Sequence, residues 1–176
     1  ALVRSGSGSN NISLYRNGSR LAQGTSTYSI AAASMMLGGQ DRGGVTGYHG
    51  CFMYMSNLRI LKGTALYSGA SITVPTEPLT AITNTSLLTC QSNRFIDNST
   101  NSMALTTDNS SPAEVLPFSP FAPTRSYSKD AVGGSAYFGG SGNKLKILGD
   151  ATSFQLDDAK EWCVEFWVYM INPTDN

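Results

Sequence analysis

Charge is what this sequence has least of. Among 176 residues, 12 are Lys or Arg and 12 are Asp or Glu, so the formal charges cancel at neutral pH. So few cations argue against a nucleic-acid partner, which needs a basic face, and against an anionic membrane surface. No run approaches the roughly 20 apolar residues that a membrane-spanning helix needs. Histidine occurs once, as His49, and cysteine three times, as Cys51, Cys90 and Cys163. An odd number at wide spacing makes neither a metal-ligand pattern nor a disulfide framework. The expectation is three small hydrophobes buried in strands, with a single bridge left open for an exported protein. The chain starts Ala-Leu-Val-Arg, without an initiator Met, a charged n-region or a signal-peptide core, which predicts a segment of a longer polypeptide.

What is abundant points to strands. There are 18 glycines among dense Ser, Thr and Asn, a composition for short strands and tight turns rather than helices. The length suffices for one domain with a proper core. Asn11–Gln23 predicts a hairpin: Ile12, Leu14 and Leu21 alternate with polar residues, and Asn17-Gly18 suits a type I′ turn whose central residues both need positive φ. Apolar runs at Ile30–Leu37 and Cys51–Leu61 predict strands separated by a polar, Gly-rich loop at Gln40–Gly50. Leu87 and Leu88 begin another strand, and Asp97-Asn98-Ser99 predicts a turn. Four prolines between Asp108 and Pro123 predict an irregular connection or a sheet edge, because proline removes ladder donors. Gly133–Leu148 reads as two alternating runs around Gly-Ser-Gly-Asn, a second hairpin, and Thr152–Trp162 as one helical turn or a loop. Val164, Phe166 and Val168 alternate with Glu165, Trp167 and Tyr169 in a strand apolar on both faces.

Several of these pieces carry a family resemblance. GGSAYFGGSGNKLKIL at 133–148 followed by CVEFWVY at 163–169 resembles the opening of laminin-G-like domains, which are concanavalin A-like jelly-roll sandwiches. LYRNG at 14–18 and YMSNLRI at 54–60, with the turn KGTALY at 62–67, are similar to the closing part of such repeats in structural proteins of marine bacteriophages. Met53 stands where that pattern has Gly, which predicts extra packing. The resemblance implies an all-β antiparallel jelly-roll sandwich in permuted or split order. Residues 1–80 resemble the second half of one repeat, 81–126 an opening strand plus a Pro/Ser-rich connection, and 127–176 the first half of the next. A half-sandwich leaves an apolar sheet face and strand edges open to water. The halves close on each other, or are completed by neighbouring repeats or subunits, or the chain is an excerpt of a tandem array, and the last two together are the expectation.

Chemistry is sparsely signalled. His49 and Cys51 would share one face of a strand, but no residue is set to orient the imidazole, and no catalytic role is expected. Glu161 and Glu165 are the only spaced acidic pair on a strand, too little for a hydrolase site. Carboxylates between Asp150 and Glu161 lack calcium-loop spacing. Some laminin-G-like domains hold calcium at the rim, and phage repeats carry two Asp in the opening hairpin where this chain has Gly139 and Asn143, so no metal or other cofactor is expected. Tyr15, Tyr28, Tyr48, Tyr67, Trp162 and Trp167 are the aromatics weighed for sugar stacking against ordinary packing. Tyr48, with His49, Asp41 and Arg42 in the Gly-rich loop, is the predicted ligand-facing group. Asn-x-Ser/Thr triplets at Asn11, Asn17, Asn84, Asn98 and Asn109 arise by chance in so polar a chain.

The resemblance therefore implies a non-enzymatic virion component on the virion surface or outside the cell: a phage tail-fibre, capsid-decoration or similar adhesive protein. Its partners would be other copies or neighbouring repeats, and cell-surface glycan. The alternative is a carbohydrate-binding module of a bacterial surface or secreted protein.

Overall fold

The structure, a computed structural model, describes residues 1–30, 34–39, 50–107, 112–121, 133–140, 143–149, 152–157 and 159–171. Among them are eleven strands and no helix: β1 (Leu2–Arg4), β2 (Ile12–Arg16), β3 (Ser19–Gly24), β4 (Ser34–Leu37), β5 (Phe52–Lys62), β6 (Thr85–Thr89), β7 (Ala104–Thr107), β8 (Glu114–Leu116), β9 (Ser135–Gly139), β10 (Leu145–Leu148) and β11 (Trp162–Met170). They form an antiparallel sandwich. The large sheet runs β3-β2-β1-β11-β5-β9-β8, and the small one β4-β10-β7.

β5 is the axis of the large sheet. One of its edges takes β11 along nearly its whole length, while β9 and β6 share the other edge end to end. Its apolar residues change parity midway, because a bulge at Asn57, with φ 53°, inserts one residue against β11. Met53 and Met55 before the bulge, and Leu58 and Ile60 after it, all reach the core between the sheets. Met53 thus supplies the packing its thioether predicts. From the small sheet, Leu37, Leu145 and Ile147 close on the same core.

β11 is inserted between β1 and β5: Val164 faces Leu2 on one side and Ile60 on the other. Strands from the first 62 residues and from residues 135–170 therefore interleave in a single sheet. A second, smaller cluster lies on the outer face, where the chain at 65–72 covers Val3, Tyr15, Leu61 and Cys163.

The β2–β3 hairpin forms as predicted, with Asn17 and Gly18 both at positive φ. Gly133–Leu148 does not form a hairpin. β9 pairs with β5 and β8 in the large sheet, and β10 with β4 and β7 in the small one, so the intervening residues cross from sheet to sheet. Both runs have apolar alternation because each faces the shared core from its own side, not because they pair. The Pro-rich stretch contains β8, an edge strand. Cys90 and Cys163 are buried, but Cys51 is exposed just before β5, contrary to expectation, and all three thiols are free.

Candidate functional site

The predicted ligand-facing residues Asp41, Arg42, Tyr48 and His49 lie outside the described residues. The other predicted aromatics that the structure describes form no single group. Tyr15 and Trp162 are buried, Tyr28 projects alone into solvent, and Tyr67 donates from its hydroxyl to Glu165 Oε2 at 2.6 Å. Tyr15 and Tyr67 meet at a centroid distance of 6.4 Å, and Trp167 meets Phe121 edge-on at 5.0 Å.

Glu165 is committed to structure. It is 4% exposed and paired with Arg59, so it is unsuited to act as a free acid or base. Glu161 Oε2 accepts from the Ala65 amide at 3.2 Å. Burial, then the hydrogen bond to Glu165, raises the Tyr67 phenol well above its ordinary range. Burial likewise pushes the Cys90 and Cys163 thiols up to about 12, which keeps them protonated and unreactive. Between β9 and β10, the Gly139 amide donates to Asn143 Oδ1 at 2.5 Å, so the Asn143 side chain is turned onto the backbone. No group of three or more His, Cys, Asp or Glu is placed to hold a metal among the described residues.

Two surfaces are left uncovered by the described residues. On the outer face, Phe118, Tyr137 and Tyr169 gather around Tyr54 at centroid distances of 5.1–6.3 Å. Cross-strand pairing creates this cluster: Tyr54 stands opposite Tyr137 on β9 and Tyr169 on β11, and partners in an antiparallel ladder share a face. Tyr169 is 61% exposed. The sequence held a signal for it, since outward positions alternate with Met53, Met55, Ala136 and Phe138 on the core side.

No described strand covers the inner face over β1, β2 and β11. The small sheet has three strands and ends at β4, which pairs only with β10 among the described residues. Beyond it runs a groove of about 900 Å³, bordered by Leu2, Leu14, Met35, Val164, Phe166 and Val168. Leu14, Phe166 and Val168 are 43%, 42% and 47% exposed, although their positions point them to the interior side of the sheet. Contiguous exposed apolar surface of this kind makes the groove a candidate interaction site.

None of the described residues forms a helix long and apolar enough to cross a membrane. No protein-family model, curated protein or solved structure matches the chain.

Proposed function

We propose that the chain is a non-enzymatic structural and adhesive protein of a virion surface, a phage tail-fibre, capsid-decoration or similar component built of lectin-like sandwich repeats. The observation that carries this reading is an inner face that the described residues leave uncovered: a three-stranded sheet stands over a larger one, with Leu14, Phe166 and Val168 exposed beside the groove. Apolar burial is worth roughly 25 cal/mol per Å², so covering that face from outside stabilises both the module and its assembly. In this function the sheet faces and edges do the work, joining repeats or subunits into an appendage. The sequence resemblance to phage repeats supports the setting.

Light scattering at several protein concentrations tests it. The expected result is association that grows with concentration. A monomer at all concentrations, still soluble with its groove open, overturns the architectural reading.

The second reading, a carbohydrate-binding module, is favoured by the outer aromatic cluster around Tyr54. Tyrosine presents both a ring face and a hydroxyl to a ligand. Glycan-array binding that is lost in Tyr169→Ala, with folding unchanged, would establish it. No binding to any glycan would remove it.

A further inference from the structure

At the end of the sandwich where β5 leaves the sheet, one cation stands among three adjoining hollows. Lys62, the last residue of β5, lines all of them. Trp162 borders the first, and Ser86 and Asn101 border both of the others. In those two, Lys62 is the only charged group among the described residues, and its polar neighbours carry hydroxyls and amides.

The Lys62 ammonium is not neutralised. Its Nζ donates to the Thr152 carbonyl at 2.5 Å, a neutral acceptor, and it forms no ion pair among the described residues. An ammonium carries more donors than that single bond uses. The described carboxylates of the first hollow are engaged elsewhere. Glu161 accepts from the Ala65 amide, and Asp157 accepts from the Ala159 amide and stands 4.0 Å from Lys160.

A second donor is unspent beside it. Trp162 stands opposite Lys62 in the β5–β11 register, so the two side chains rise from the same face of the sheet. Trp162 is 3% exposed, and its Nε1 has no acceptor among the described residues. A buried N–H ordinarily has a partner, because leaving it without one is costly. A carboxylate matches this pair of donors. It brings a negative charge for the ammonium and two oxygens, so that each donor takes one. Hydroxyls and amides in the flanking hollows both donate and accept, which suits a ligand rich in hydroxyl groups.

We propose that this rim binds the carboxylate of an acidic sugar, one oxygen on the Lys62 ammonium and the other on the Trp162 indole N–H, with the sugar hydroxyls over the neighbouring hollows. Neither the inner groove nor the cluster around Tyr54 takes part.

The test is a nuclear magnetic resonance titration of the whole chain, labelled with nitrogen-15, with sodium glucuronate at constant sodium concentration. The chain has 2 Trp, so Trp167→Phe leaves the Trp162 indole N–H as the one indole signal. That signal should move and saturate with glucuronate and stay in place with glucose. Acetate and N-acetylglycine carry the carboxylate without the sugar, and should bind more weakly than glucuronate. Lys62→Gln should weaken glucuronate about tenfold, the loss expected for a hydrogen bond to a charged group, and Lys62→Arg should restore most of it. Tyr169→Ala should leave the titration unchanged. The proposal is overturned if glucuronate leaves the indole signal in place, if glucose moves it equally, or if Lys62→Gln binds as tightly as the parent. It is overturned equally if N-acetylglycine matches glucuronate, which would make the site one for a peptide carboxyl terminus, or if Tyr169→Ala abolishes binding, which would place the sugar on the outer cluster.

Discussion

Arg59 grips one oxygen of Glu165 with two nitrogens: Nε lies 2.7 Å and Nη2 2.6 Å from the same Oε1, across the register pair that joins β5 to β11. Arg59 Nη1 also donates to the Thr80 carbonyl at 2.8 Å, and Glu165 Oε2 accepts from Tyr67. With both side chains at most 7% exposed, neither charge has water to fall back on. Removing one partner strands the other. Arg59→Met or Glu165→Leu alone should each cost about 3–5 kcal/mol in urea unfolding, whereas the double variant should recover most of that loss. Single losses that simply add would show that the pair acts as two independent groups.

Tyr67 sets an alkaline limit. Its phenol is held above its ordinary value by burial first and by the bond to Glu165 next, so the folded state binds the proton more tightly than the unfolded chain does. The stability this contributes is complete below the unfolded value of about 10 and is lost as pH rises beyond it. The Cys90 and Cys163 thiols, with folded values of about 12, act in the same direction from their own lower unfolded values upward. Unfolding free energy measured from pH 8 to 11 should therefore fall at the alkaline end. Tyr67→Phe should be less stable at pH 8, yet decline less steeply above pH 10. An equally steep decline in the variant would remove Tyr67 as a cause.

The thiols should react in two classes. Cys51 is exposed, while Cys90 and Cys163 are 1% and 0% exposed. A chromogenic disulfide reagent should titrate one thiol per chain in native buffer and three in denaturant. Cys51→Ser should abolish the native reaction without changing the melting temperature by more than about 2 °C, as for a surface substitution.

Asn57 does two jobs that substitution can separate. Its side chain donates to Ser56 Oγ at 2.8 Å and accepts from the Leu79 amide at 2.8 Å and from Gln91 Nε2 at 2.9 Å, all within the interior. Its backbone meanwhile holds the left-handed conformation of the bulge. Asn57→Gly keeps the conformation and loses the bonds, at about 1–3 kcal/mol for each buried group left unpaired. Asn57→Ala should cost about 1–2 kcal/mol more, since alanine is strained at positive φ. Equal melting temperatures for the two variants would show that the bulge relaxes.

Local chemistry made the elements legible. Asn17-Gly18 announced its turn because the dipeptide itself carries the needed backbone freedom, and the alternation at 164–169 announced a strand because a half-buried sheet imposes that period. Pairing was less legible. The runs around 136 and 146 look like a hairpin because alternation reports burial, not partners, and the partners are set by β5 and β8 on one side and β4 and β7 on the other. The bulge at Asn57 was likewise visible only as Ser-Asn interrupting an apolar run. The candidate surfaces were hardest to see: Tyr54, Tyr137 and Tyr169 meet through three strands far apart in the chain, and the groove is a place where side chains stop rather than a motif they spell.

The insertion of β11 between β1 and β5 also fixes a timetable for synthesis. Arg59 must wait for a partner 106 residues downstream, and β1 has no neighbour on that side until the same strand arrives. At about 5–20 residues per second, a ribosome takes roughly 5–20 s to supply it. Throughout that interval β5 carries an unclosed edge in a crowded cell, and closure then depends on contacts of long sequence separation, which form slowly. A nascent chain halted before residue 162 should consequently be protease-sensitive and held by chaperones, and release past residue 170 should be the moment at which the sheet locks.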